Sequence, residues 1–87
     1  MRNIIKLKTN IAISEKGFVF DPTTGDSYTV NAIGLEILEM IKQRKVFVEI
    51  SDMITAKYDV EPSSFEQYFF DFIAVLKQMQ LIENNDA

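Results

Sequence analysis

The 87-residue chain contains no histidine, no cysteine and no tryptophan, and only three glycines and two prolines. Without histidine there is no imidazole general base, and without cysteine no thiolate nucleophile. Together the two absences remove every His/Cys zinc or iron–sulfur ligand set. Disulfides are excluded, so cysteine pairing says nothing of a redox compartment. No apolar run approaches the roughly 18–20 residues that cross a bilayer. The segment Met1 to Lys8 has neither the apolar region of about 7–15 residues nor the small-residue cleavage site of a signal peptide, and the cytoplasm is the default location. Positive charge is also scarce: nine Lys and Arg stand against thirteen Asp and Glu, a net charge of -4. The basic residues are scattered along the sequence, so a nucleic-acid partner is not expected.

What is present suits one small core. Hydrophobic residues make up 47% of the chain, with seven Phe, three Tyr and four Met. A domain of this length buries only about 60–65% of its unfolded surface, so it needs them. Residues 1–87 are expected to form a single domain, with 1–9 as an extra strand or an arm and 84–87 as a frayed tail.

Residues 3–31 read as strands. Ile4, Ile5 and Leu7 open an extended stretch, followed by Ile11 to Ile13, Phe18 to Phe20 and Tyr28 to Val30, all rich in β-branched and aromatic residues. Glu15-Lys16-Gly17 can close a hairpin, and Asp21-Pro22-Thr23-Thr24-Gly25-Asp26 forms a longer turn. Short connections favour an antiparallel meander. Residues 31–83 read as helices. Asn31 is a good N-cap, and Ile33, Ile37, Leu38 and Ile41 recur at helical spacing up to the polar Gln43-Arg44-Lys45. Ile50, Met53, Ile54 and Tyr58 define a second, shorter helix. Pro62 either sits in the first turn of a third or precedes a capping box of Ser63 and Glu66. Phe65, Phe69, Phe72, Ile73, Leu76 and Met79 or Gln80 trace its core stripe. Strands followed by helices imply an α+β domain: a three-stranded antiparallel meander and three α-helices.

Few residues suggest chemistry. Asp21 and Asp26 flank a turn without the ligand pattern of a calcium loop, so turn chemistry is the better reading. The serines lack a partner pattern for nucleophilic catalysis. Asp26-Ser27 shares two residues with the phosphopantetheine attachment site of carrier proteins, but Tyr28 follows in a strand pattern. No catalytic residue, cofactor or metal is expected. The cluster Phe65, Tyr68, Phe69, Phe70 and Phe72 is the most unusual feature. One helix face cannot hold all five, because Tyr68 and Phe70 lie about 100° to either side of Phe69. At least one is expected to be half exposed and suited to docking.

The order of features resembles the PqqD-like family of precursor-peptide recognition elements, from about Ile11 to Glu83. The stretch Gly17-Phe18-Val19-Phe20-Asp21, then Thr24 to Asn31, Ile33-Gly34 and Ile37-Leu38, carries the resemblance in the first half. Ile50, Ile54, Tyr58-Asp59-Val60 and Pro62 match the junction of the second and third helices. Phe72, Leu76 and Leu81-Ile82-Glu83 match the closing helix. Three features depart from the pattern: Phe47 replaces a capping Thr or Ser, the loop at Gln43-Arg44-Lys45 lacks the usual Gly, and the third helix is richer in Phe.

The resemblance implies a small winged-helix-like domain with no catalysis of its own. Such domains bind the leader of a ribosomally made precursor peptide and present its core to a modifying enzyme, which for PqqD is a radical-SAM protein of pyrroloquinoline quinone (PQQ) synthesis. The leader joins a sheet edge as an added strand beside the third helix, a case of β-augmentation. A meander leaves its last strand at an edge. Backbone pairing is therefore assigned to Ser27, Tyr28, Thr29 and Val30, and the groove wall to Tyr68, Asp71, Phe72 and Val75. The rivals are a scaffold or homodimerising subunit of a larger enzyme and, against the acidity, a winged-helix nucleic-acid binder.

Overall fold

The computed structural model describes residues 5–83. Ile4, expected in a strand, and the expected frayed tail at 84–87 lie outside them. Among the described residues five strands and three helices follow in order: β1 Lys6–Leu7, β2 Ala12–Ile13, β3 Phe18–Asp21, β4 Asp26–Thr29, α1 Ala32–Lys42, α2 Phe47–Tyr58, α3 Pro62–Gln78 and β5 Ile82–Glu83. β2, β3 and β4 form the expected antiparallel meander, and β1 pairs with β5 in a separate two-stranded sheet.

Turn chemistry fixes the meander. Gly17 takes φ +91° and donates its N–H to Ser14 O (3.0 Å), while Ser14 donates to Phe18 O (2.8 Å). At the second turn Thr23 N–H donates to Asp21 Oδ1 (2.9 Å), and Gly25, at φ +80°, donates to Asp21 O (2.8 Å). Asp21 is buried because both its carboxylate and its carbonyl are occupied in this turn. β3 alternates as a strand with one covered face must. Val19 and Asp21 point inward, and Phe18 and Phe20 point outward.

The Asn31 carboxamide oxygen accepts the N–H of Gly34 at 2.8 Å, so α1 is capped as the sequence implies. α2 begins at Phe47, ahead of the Ile50 that marks it in the periodicity. Val46 at its N-cap carries no polar group, but Glu49 Oε1 reaches back to accept the Val46 N–H at 3.0 Å. α3 starts on Pro62, which resolves the choice between Pro62 and a Ser63–Glu66 box. Phe65, Phe69, Ile73 and Leu76 of α3 pack with Ile37, Leu38 and Ile41 of α1, Ile50 and Ile54 of α2 and Val19 of β3. Met79 is half buried and Gln80 exposed, so Met79 continues the stripe. Met53, counted in the α2 core face, is 58% exposed.

Residues 81–83 differ from the all-helical reading. Leu81-Ile82-Glu83 does not continue α3. Gln80 adopts the left-handed φ of 60° and donates to Lys77 O (3.0 Å), while Leu81 donates to Leu76 O (3.0 Å). This is a Schellman stop, closed by contact of the buried Leu76 and Leu81. The chain then pairs Ile82 with Leu7 and Glu83 with Lys6. The N-terminal stretch is thus a strand where it is described, with β5 as its mate.

Candidate functional site

Among the described residues, β4 is the longest strand with an unpaired side. It ends the sheet order, whereas the other outer strand, β2, has two residues. Which backbone groups β4 exposes follows from register. Cα partners are Phe18 with Thr29, Val19 with Tyr28, Phe20 with Ser27 and Asp21 with Asp26. Val30 N–H donates to Gly17 O (2.9 Å), which makes that pair a hydrogen-bonded one. Hydrogen-bonded and non-bonded pairs alternate in an antiparallel ladder. Tyr28 therefore bonds inward to Val19, and Ser27 and Thr29 direct N–H and C=O outward. Ser14 N–H donating to Phe18 O agrees, because it turns Phe18 and Phe20 toward β2. Of the four residues assigned to backbone pairing, Ser27 and Thr29 present free groups. Tyr28 is engaged with β3 by register, and Val30 has its N–H engaged with Gly17 at the turn before β3.

The Tyr28 side chain lies on the inner face of the sheet beside Val19, half buried. Desolvation raises its phenol above the ordinary tyrosine value, with the Asp26 and Asp21 carboxylates adding to the shift. It stays a neutral hydroxyl at physiological pH.

α3 carries the four residues assigned to the groove wall. Tyr68, Asp71, Phe72 and Val75 stand at i, i+3, i+4 and i+7, one stripe of a helix. Tyr68 and Phe72 are half buried and stack in parallel, 6.1 Å between centroids and 5° between planes. Tyr68 hydroxyl donates to Asn31 Oδ1 at 3.4 Å, and Phe72 lies over Gly34, where a Cβ would come within 3.2 Å of its ring. The stripe is therefore anchored on the two residues that carry the chain out of β4 into α1. Asp71 and Val75 are exposed beside it, and the Asp71 carboxylate accepts Gln67 Nε2 at 3.4 Å. Phe70 takes the opposite flank of α3 and stacks on Phe47 at 5.6 Å. Phe47 thus has a packing role at the α2–α3 contact that the sequence pattern did not assign.

The site is an open β edge beside an aromatic helix stripe. An unpaired backbone edge of this kind can accept an extended chain as an added strand. No group of three acidic residues suited to a metal occurs among the described residues, and no described helix is long and apolar enough to cross a membrane.

Comparisons with known proteins follow the same outline. The family model for coenzyme PQQ synthesis protein D (PqqD) matches residues 16–82. No curated protein matches the chain. Among solved structures, a chain of TbiB1 in complex with the TbiA(beta) leader peptide is similar at a TM-score of 0.83 and 25% identity, covering 94% of this chain and 99% of that one.

Proposed function

Because this chain belongs to the PqqD family, we propose that it is a non-catalytic recognition element, binding the leader of a ribosomally made precursor peptide and presenting the core to a maturation enzyme. The leader adds a strand to β4, with Ser27 and Thr29 exchanging backbone hydrogen bonds and Tyr68, Asp71, Phe72 and Val75 walling the groove. The observation that carries this reading is the unpaired β4 edge lying beside the Tyr68–Phe72 stack. Likeness to a protein whose structure holds a leader peptide supports it. So does a chain without His or Cys, in which binding rests on backbone and apolar groups. The maturation enzyme is a radical-SAM protein if the pathway follows that of PqqD, and the site of action is then the cytoplasm.

Calorimetric titration with leader peptides encoded beside a maturase gene tests the reading. Thr29→Pro removes one outward N–H while sparing the ladder to β3, since Thr29 sits at a non-bonded pair. Loss of that bond, worth about 1 kcal/mol, and the ring's intrusion are expected to weaken binding about ten-fold or more with folding retained. Unchanged affinity in Thr29→Pro would move the peptide off this edge. A stable dimer that buries β4 and excludes every leader would instead favour the scaffold reading.

A further inference from the structure

An acidic chain gathers four of its nine basic residues around one cleft. Lys6 and Lys8 reach it from β1 and its exit, and Lys42 and Arg44 from the C-terminal end of α1. Leu7, Ile11 and Ile41 form an apolar floor, and none of the described lining residues is acidic. The described ion pair of the protein lies elsewhere, between Lys57 and Glu36; Glu83 stands opposite Lys6 across the β1–β5 ladder, and no carboxylate lies within ion-pair distance of Lys8, Lys42 or Arg44 among the described residues. Backbone hydrogen bonds set the positions of the segments that carry them. Lys8 N–H donates to Leu81 O (3.1 Å), fixing β1 beside β5. Arg44, in the left-handed region at φ 66°, closes the Schellman stop of α1 by donating to Ile41 O (2.9 Å).

We propose that this cleft is a second docking surface and takes a short acidic segment, carrying aliphatic side chains, of a partner protein. The four cations match carboxylates. The apolar floor matches aliphatic side chains, which a nucleic-acid backbone does not offer. The net charge of -4 opposes an extended polyanion but not a short segment confined to the cleft. The position also fits a presenter. The peptide groove borders the start of α1 at Asn31, and the cleft borders its end at Arg44, about 20 Å along the axis at 1.5 Å per residue. Both surfaces can then be occupied at once. Only the identity of the partner as the maturation enzyme rests on the leader-binding reading; the cleft's preference for acidic protein does not.

The test uses amide shifts and affinity of the full chain with a capped probe peptide alternating Glu and Leu, its Gln-for-Glu counterpart, and a single-stranded oligonucleotide of equal charge. The Glu–Leu peptide is expected to bind and to move amides of residues 6–9 and 42–45. Lys8→Glu combined with Lys42→Glu is expected to weaken it about ten-fold, while Lys77→Glu on α3 leaves it within about two-fold. Leader titration of the same double variant should be unaltered, which separates failure of this cleft from failure of the β4 groove. The proposal is overturned if the Gln peptide binds equally well, if the oligonucleotide binds more tightly, if Lys77→Glu costs as much as the double variant, or if no probe binds.

Discussion

At the scale of single residues, Gly34 and Glu36 carry the sharpest consequences. Gly34 lets Phe72 lie against α1, and a methyl group there would press on the ring at 3.2 Å. Alanine favours a helix over glycine by about 1 kcal/mol, so Gly34→Ala is expected to leave the melting temperature nearly unchanged. The displaced Phe72 should nonetheless weaken leader binding several-fold, and calorimetry beside thermal unfolding checks both. Glu36 joins α1 to α2 by accepting from the Tyr58 hydroxyl and from Lys57 Nζ at 3.1 Å. The Tyr58 hydrogen bond, with Lys57 adding to it, holds the Glu36 carboxyl below its ordinary value. A folded-state pKa below the unfolded one gives stability that is present at neutral pH and lost as pH falls below the ordinary value of 4.5 toward the folded one. Denaturant unfolding at pH 7 and pH 3 should therefore show a smaller acid loss in Glu36→Gln than in the parent chain.

At the scale of elements, the three helices share one device. Each ends on a non-glycine residue in the left-handed region: Arg44 after α1, Asp59 after α2 and Gln80 after α3. A left-handed non-glycine residue costs about 1–2 kcal/mol, of which glycine's greater chain entropy returns about half. Gln80→Gly is thus expected to stabilise the fold by about 0.5–1 kcal/mol, read as a raised denaturation midpoint with an unchanged slope. The same device explains where the sequence was legible. The meander turns were readable because Gly17 and Gly25 stand where positive φ is needed, and α1 because Asn31 is a strong N-cap. The end of α3 was not, since Gln80 gives no stop signal and Leu81-Ile82 continues an apolar pattern. Their strand is specified by Leu7 and Lys6, more than seventy residues away. In the candidate site, the α3 stripe was legible from its spacing. The inward engagement of Tyr28 and Val30 depends on register and needed the Val30–Gly17 bond to be seen. The basic cleft was illegible for the same reason, because β1 and the end of α1 meet only in the fold.

At the scale of the whole molecule, charge and topology set two surfaces apart. The β4 edge and the Tyr68–Phe72 stripe lie at one end of α1, and the cationic cleft lies at the other. In the proposed function neither surface needs a reactive side chain, which agrees with a chain that has neither His nor Cys. In the proposed function a leader peptide becomes the strand beyond β4. Backbone amide exchange and chemical shift with and without a saturating leader peptide test this. The amides of Ser27 and Thr29 should gain protection and shift most, together with residues of the Tyr68–Val75 stripe, while those of Tyr28 and Val30, already bonded within the sheet, change little. Unprotected Ser27 and Thr29 amides in the saturated complex, with shifts confined to other elements, would contradict it.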